Sequence, residues 1–227
     1  MKKTDLTNYW VIGDVHGCMF TLEKLVSKLP KESKLIFVGD LVDRGNYSKE
    51  VIEFVMQNNY RCVFGNHEYL MFNYARDAMI RGKQSMWSMS NETYGGLNTL
   101  HSYANDETAL LKHIDFIEKL PKYLEIDDYI ITHGFALPYY KRRDQHNFQN
   151  ELYTSRLEDI SLDWELDWRD YKVINVFGHT PYEEVKFGKN YIGVDTGAVF
   201  GNKLSAVNLL TKEVISQNSI EKDIQRK

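Results

Sequence analysis

Gly39-Asp40-Leu41-Val42-Asp43-Arg44-Gly45 stands at the exit of the apolar run Leu35-Ile36-Phe37-Val38, and the reading of that junction decides the fold. The run reads as a buried strand. A glycine at each end of the heptapeptide lets the backbone turn tightly while Asp40, Asp43 and Arg44 project from one loop. Two other strand exits repeat the arrangement. Tyr9-Trp10-Val11-Ile12 leads into Gly13-Asp14-Val15-His16-Gly17, and Tyr60-Arg61-Cys62-Val63-Phe64 leads into Gly65-Asn66-His67-Glu68. Asp14, Asp40 and Asn66 recur at an interval of 26 positions, so strand, loop and helix form a repeating unit.

The intervening segments supply the helices. Leu22, Leu25, Val26 and Leu29 share one helical face that stops at Pro30, and Ser48 is placed to cap a second helix whose Val51, Ile52, Val55 and Met56 face inward. Strands joined this way are parallel neighbours with right-handed crossovers, and their carboxyl ends, where open α/β sheets bind ligands, converge. From Tyr69 to about Leu120 the chain reads as a mostly helical insertion with a poor apolar stripe. Its methionines and aromatic residues, Met71, Phe72, Tyr74, Met79, Met86, Trp87 and Met89, are expected to pack onto the sheet. His101 and His113 lie in it without a carboxylate or glycine loop and read as ordinary histidines. The second half is β-rich: Tyr129-Ile130-Ile131-Thr132 leads into His133-Gly134, and Val173 to Gly178 leads into His179-Thr180-Pro181. Tyr191 to Val194, Leu204 to Leu209 and Val214 to Ser216 are expected to complete a meander in a second sheet, with turns at Gly201-Asn202 and Thr211-Lys212. The charged tail from Glu221 to Lys227 is expected to fray.

Composition narrows the classes. No Pro/Gly/Ser-rich linker divides the 227 residues, so one domain spanning 1–227 is expected. A formal charge of −4 leaves no basic face for sequence-independent nucleic-acid binding. Lys2 and Lys3 are followed by Asp5 and Asn8, and the apolar run Trp10 to Ile12 is too short for a signal peptide. The two cysteines, Cys18 and Cys62, form no Cys-x-x-Cys pair, and a cytoplasmic location is expected. Cys18, at the start of a helix, reads as an inert small residue although a helix dipole there would lower its pKa.

Five strand ends carry Asp14 with His16, Asp40, Asn66 with His67, His133, and His179. A single strand-end histidine is ordinary, whereas imidazole or carboxylate at every carboxyl end points to metal. Nitrogen and oxygen ligands without thiolate suit a divalent ion such as manganese, iron or zinc, and argue against a structural zinc cage.

These motifs, with His133-Gly134 and Gly178-His179-Thr180, resemble in order and spacing the signature of the phosphoprotein phosphatase family of metallophosphoesterases, over about residues 9–210. The compact length is most similar to bacterial and bacteriophage members, which include serine/threonine protein phosphatases and symmetrical diadenosine tetraphosphatases. The resemblance implies a mixed α+β fold, a four-layer αββα sandwich of two mixed β-sheets flanked by helices, with the helical insertion at about 69–120. It implies two divalent metals between the sheets, manganese being the first expectation, with Asp14 and His16 on one, Asn66, His133 and His179 on the other, and Asp40 bridging both. A hydroxide shared by the metals would attack phosphorus in line. His67 would protonate the leaving alkoxide while Asp43 accepts its other ring hydrogen. Arg44 would clamp two phosphoryl oxygens, with Asn66 also touching phosphate.

The family's second phosphate arginine has two candidates. Arg156 lies 23 positions before His179, close to the family interval, and Arg169 only ten. Arg156 is therefore preferred, also over Arg142 and Arg143. Glu68 reads as a first-turn acid that favours the helix dipole, and Asp195 as a turn residue.

The expected function is a metal-dependent serine/threonine protein phosphatase acting on a phosphorylated protein or peptide, with no nucleic-acid or membrane partner and a monomer favoured. The alternative is a symmetrical diadenosine tetraphosphatase or another nucleotide phosphohydrolase of the same fold. The acidic run Glu151, Glu158, Asp159, Asp163, Glu165, Asp167 and Asp170 favours the peptide, since it would repel a polyphosphate if it lined the groove. Lys141-Arg142-Arg143 is the one compact basic cluster in the segments Tyr69 to Leu120 and Phe135 to Tyr171, where substrate-contacting insertions can lie. No Walker-type phosphate loop is present, which sets kinases and motor ATPases aside. A binding scaffold that had lost its chemistry would lack ligands or the acid, and here all are present.

Overall fold

The computed structural model describes residues 6–90, 94–160 and 167–224. The first half runs β1 (Tyr9–Ile12), α1 (Met19–Val26), β2 (Lys34–Phe37), α2 (Ser48–Gln57) and β3 (Arg61–Cys62). The helical stretch follows as α3 (Asn66–Arg81), α4 (Met86–Met89), α5 (Gly96–Tyr103) and α6 (Glu107–Glu118). The second half contains β4 (Tyr123–Ile126), β5 (Tyr129–Thr132), α7 (Glu151–Thr154), β6 (Ile174–Phe177), β7 (Lys186–Phe187) and β8 (Tyr191–Gly193). It closes with β9 (Lys203–Asn208), β10 (Val214–Asn218) and α8 (Glu221–Ile224).

Two mixed five-stranded sheets result, ordered β10-β9-β1-β2-β3 and β4-β5-β6-β8-β7. β1, β2 and β3 are parallel neighbours, in register Val11 with Ile36 and Phe37 with Cys62. In the second sheet β5, β6 and β8 are parallel, with antiparallel β4 and β7 at the edges. Strand periodicity splits the core. Trp10, Ile12, Leu35 and Phe37 face the helices together with Leu22, Leu25, Val51 and Val55. Val11, Ile36, Val38, Val63 and Val207 meet Ile131, Val176 and Ile192 between the sheets. The other side of the second sheet is covered by Phe135, Leu137 and Trp168 against Phe177.

Four expectations need correction. β9 and β10 do not extend the second sheet: β7 holds the outer edge of β8, and the chain crosses over so that β9 pairs antiparallel with β1, Val207 opposite Val11. Ser48 is not the cap of α2 but its first residue, fully buried, with its hydroxyl against Thr99 Oγ1 at 3.0 Å and accepting from Asp43 N at 3.1 Å. Of the helical stretch, Met71 and Trp87 do pack into the core, whereas Met86 and Met89 are 70% and 61% exposed. His113 is a core histidine bonded to the Tyr103 hydroxyl and Glu53, and burial followed by Asp223 pushes the Cys18 thiol up rather than down.

The expected fraying of the tail fails at α8. Asp223 is fully buried, and its carboxylate accepts from Phe20 N at 3.0 Å and Thr21 N at 2.8 Å, capping α1 from the far end of the chain. Its carbonyl accepts from Asn46 N at 2.9 Å, just beyond the Asp40–Gly45 loop. No helix among the described residues is long and apolar enough to cross a membrane.

Candidate active site

The carboxyl ends of β1, β2, β3, β5, β6 and β8 meet at one end of the sandwich, and each delivers a polar side chain: Asp14 and His16, Asp40, Asn66 and His67, His133, His179, and Asp195. Approach is so close that Gly178 has no room for a Cβ, which would collide with Asp14 Oδ1. Five of these loop residues adopt left-handed backbone, at φ 47° for His16, 49° for Asp40, 71° for Asp43, 70° for Arg44 and 65° for His179. Such angles are costly for residues with a Cβ and persist only where surrounding bonds over-determine them.

The bonds in question are on the first-sheet side. Val15 N and His16 N both donate to Asp40 O, at 3.1 and 2.8 Å. Glu68, fully buried in the first turn of α3, accepts from Asp40 N at 2.7 Å, Leu41 N at 2.8 Å and Gly65 N at 2.9 Å. It thus staples the second loop to the third, a role beyond the dipole effect expected of it. The signal was its position three residues after Gly65, from which a Glu side chain reaches back to the N–H of the residue that opens the helix. Burial, with Asp40 beside it, pushes Glu68 up to about 7.

Two groups of metal-competent donors share the Asp40 carboxylate: His16 with Asp40 and His67, and Asp40 with His133 and His179. The imidazoles are pre-oriented. His16 Nδ1 donates to Val42 O at 2.7 Å and His133 Nδ1 to Val38 O at 2.8 Å, so each Nε2 turns inward. His133 Nε2 lies 3.3 Å from Asp40 Oδ2, 2.9 Å from Asn66 Oδ1 and 3.2 Å from His179 Nδ1. Asp14 falls outside both close groups, its carboxylate taking the His179 N–H at 3.0 Å. Arg44 Nη1 sits against His16 Nε2, and its guanidinium lies over the Phe200 ring.

The electrostatics describe a site short of positive charge. Burial, then Asp195 and Asp40, raises Asp14 well above the carboxylate range, and burial lifts Asp195 to about 6. Burial alone would raise Asp40 as well, but His133, His67 and His16 around it hold it low. Burial and the neighbouring His133 take His179 down to about 3, which keeps its ring neutral and able to ligate. Buried carboxylates crowded with imidazoles, of which burial keeps His16 and His179 neutral, are the donor chemistry that fits divalent cations.

Beside these donors stands a hydrogen-bonded pair. His67 Nδ1 donates to Asp43 Oδ2 at 2.7 Å, and His67 Nε2 faces Asp40 Oδ2 at 3.9 Å. Asp43 also accepts from Trp87 Nε1 at 2.7 Å and Thr99 Oγ1 at 2.6 Å, so the helical stretch clamps the carboxylate that orients His67. Nothing local in the sequence ties Trp87 and Thr99 to Asp43. Of the two arginines, Arg156 reaches the centre, donating from Nη1 to His179 O at 3.1 Å and Thr180 Oγ1 at 3.3 Å. Arg169 lies over Trp168 and lines a separate cavity with Lys189 and Tyr191.

The model of the calcineurin-like phosphoesterase family matches residues 7–204. The chain belongs to that family. Its members normally use two divalent metals, and the donor groups here can hold metal. The chain is 30% identical over 244 residues to the asymmetrical bis(5′-nucleosyl)-tetraphosphatase PrpE of Oceanobacillus iheyensis, covering 96% of this chain and 94% of the relative. It is 28% identical to the protein of the same name from Bacillus cereus strain Q1, covering 92% and 93%. Among solved structures it superposes on a protein provisionally assigned as a diadenosine tetraphosphatase, at TM-score 0.67, 20% identity and 96% of each chain. It also superposes on a serine/threonine phosphatase from Saccharomyces cerevisiae, at TM-score 0.57 and 16% identity over 96% of this chain and 81% of that one. These two structural likenesses speak for the fold alone. The family is thus a metallophosphoesterase hydrolase family, and the full-length likeness favours the nucleotide alternative over the expected protein phosphatase.

The acidic run that weighed for a peptide has other occupations. Glu151 accepts from Ser155, Glu158 pairs with Lys186 and Tyr182, and Asp170 faces Lys189. Asp163 and Glu165, and the side chain of Asp167, lie outside the described residues.

Proposed function

We propose that this chain is a metal-dependent hydrolase of dinucleoside polyphosphates that cleaves them asymmetrically, releasing a nucleoside monophosphate from a tetraphosphate. What supports this reading is full-length likeness: relatives bearing that name align along nearly the whole chain, whereas the protein phosphatase resembles it in fold. The relatives' designation as asymmetrical also replaces the symmetrical cleavage considered from sequence.

Asp14, His16, Asp40, Asn66, His133 and His179 would hold two divalent cations, manganese being the first choice, with Asp40 common to both. Bound there, the cations would neutralise phosphoryl charge and acidify a water. Arg44 and Arg156 would hold the phosphoryl oxygens from two sides. The water oxygen bonds to the terminal nucleoside's own phosphorus as the bond to the bridging oxygen breaks. That oxygen leaves with the electron pair on a nucleoside triphosphate, and the water's proton passes to solvent. A polyphosphate is a weakly basic leaving group, so proton donation from His67 matters less here than for an alkyl ester.

The test compares kcat/KM for diadenosine tetraphosphate and a phosphoserine peptide with one manganese-loaded preparation, and separates the products. Adenosine monophosphate with adenosine triphosphate, and faster turnover of the nucleotide, is the expected result. Two equivalents of adenosine diphosphate would make the cleavage symmetrical, and a tenfold preference for the peptide would restore the protein phosphatase.

A further inference from the structure

Against Asn66 opens a cavity of about 300 Å³ whose wall includes Asn66, Tyr69, Tyr94, Asn150, Tyr153 and Thr154. It adjoins the candidate phosphate site. Asn66 is itself a candidate ligand. Thr154 is two residues from Arg156. Tyr94 precedes Gly95, whose carbonyl accepts Arg44 N at 3.1 Å. Asn66 and Tyr69 stand three residues apart on α3, so they share a helix face one turn apart. The helix that presents Asn66 therefore sets the Tyr69 ring beside it.

The aromatic groups make a platform rather than a closed core. The rings of Tyr69 and Tyr153 are stacked, with centroids 6.1 Å apart and planes at 25°. Tyr153 is buried and braced edge-on by Phe64 at 5.4 Å, whereas Tyr69 is 45% exposed. Lys122 Nζ lies 4.7 Å from the Tyr153 centroid and 3.2 Å from that of Phe64. Asn150 Oδ1 accepts from the Tyr153 hydroxyl at 2.6 Å, which leaves its amide NH2 as a donor for a ligand. A small, largely aromatic cavity with a few convergent polar groups is the usual form of a small-molecule subsite, and a nucleobase offers the flat face and edge acceptors to match.

We infer that this cavity binds one nucleobase of the substrate, that of the nucleoside whose own phosphate reacts. This rests on the nucleotide-hydrolase reading and deepens it. Because Asn66 both lines the cavity and is a candidate ligand, a base seated there turns its own 5′-phosphate toward the ligand cluster, and the rest of the polyphosphate extends away. Cleavage then falls next to the bound nucleoside, which is the asymmetrical outcome. The larger cavity of about 440 Å³ beside Trp168 and Arg169 has none of the candidate ligands in its wall.

The experiment measures competitive inhibition of aryl phosphate hydrolysis by adenosine monophosphate and by methyl phosphate, a base-free monoester, with wild type, Tyr69→Ala, Tyr69→Phe and Asn150→Ala. The ratio of the two inhibition constants reads base and ribose together, and its fall on Tyr69→Ala isolates the stacked base. Adenosine monophosphate is expected to bind roughly ten- to a hundredfold tighter than methyl phosphate in wild type, the range that stacking one base provides. Tyr69→Ala is expected to remove most of that ratio, Tyr69→Phe to keep it, and Asn150→Ala to reduce it by a few-fold. A wild-type ratio near one, or a ratio that survives Tyr69→Ala, overturns the subsite. Failure of the parent reading shows separately, as absent turnover of diadenosine tetraphosphate by wild type while the aryl phosphate is still hydrolysed.

Discussion

The two sheets furnish the candidate centre in different ways. On the first-sheet side, three consecutive strand ends are laced together by backbone bonds, by the triple acceptance of Glu68 and by four left-handed residues. On the second-sheet side, His133 reaches the first half through its side chain, to Val38 O, Asn66 and Asp40, and His179 through its N–H to the Asp14 carboxylate, while Arg156 is held by two bonds to the His179 segment. The first half is thus a preformed cradle, and the second closes over it. Preorganisation belongs where charge must be gathered, because crowding carboxylates costs free energy that only a rigid frame sustains.

The sharpest way to break this contrast is Asp40→Asn. A neutral amide cannot serve both donor groups, so metal content and turnover should fall together to background, read on one sample by elemental analysis and rate. Retention of two ions with near-normal turnover would dissolve the cradle as a metal centre. Next in size is His67→Asn, expected to keep metal while lowering kcat by roughly 10²–10⁴ on an alkyl phosphate. The loss should be much smaller on a dinucleoside tetraphosphate, and equal losses on both would make His67 a positioning residue.

Glu68→Gln tests the frame without touching the donors. Its carboxylate faces three N–H groups, and an amide would set a donor against donors, so the variant should lose about 2–3 kcal/mol in urea unfolding. A loss below about 1 kcal/mol would mean that the strained loops hold themselves. The smallest effect falls on the closing half: Arg156→Ala should weaken inhibition by inorganic phosphate roughly tenfold, a charge-assisted bond's worth, and Arg169→Ala roughly not at all. The reverse order would move the phosphate site toward Trp168.

The same contrast explains what could be read from the chain before its folding. β1, β2 and β3 were legible because each strand, turn and polar residue is contiguous, and parallel order follows from the helices between them. The donors at His133 and His179 were legible for the same reason. Assignment of β9 and β10 was not, since alternation of apolar residues records that a strand is buried, not which sheet receives it. The partners that fix Asp43, Trp87 at 44 residues' distance and Thr99 at 56, left no local trace. Glu68 did leave one, in its spacing from Gly65, but a helix-dipole role explained the same residue equally well. Choice of substrate was the least legible, because the residues common to phosphoesterases are dense motifs while the cavity residues Tyr69, Tyr94, Asn150 and Tyr153 are scattered.

The pairing of β9 with β1 has a consequence in time. Synthesis from the ribosome brings out β1 first and β9 some two hundred residues later. Until then one edge of β1 is unpaired, and the α1 amides that Asp223 caps have only water. The nascent chain therefore carries the three motif loops long before the sheet around them can close. Hydrolytic competence should appear abruptly, as one late event, rather than grow with chain length.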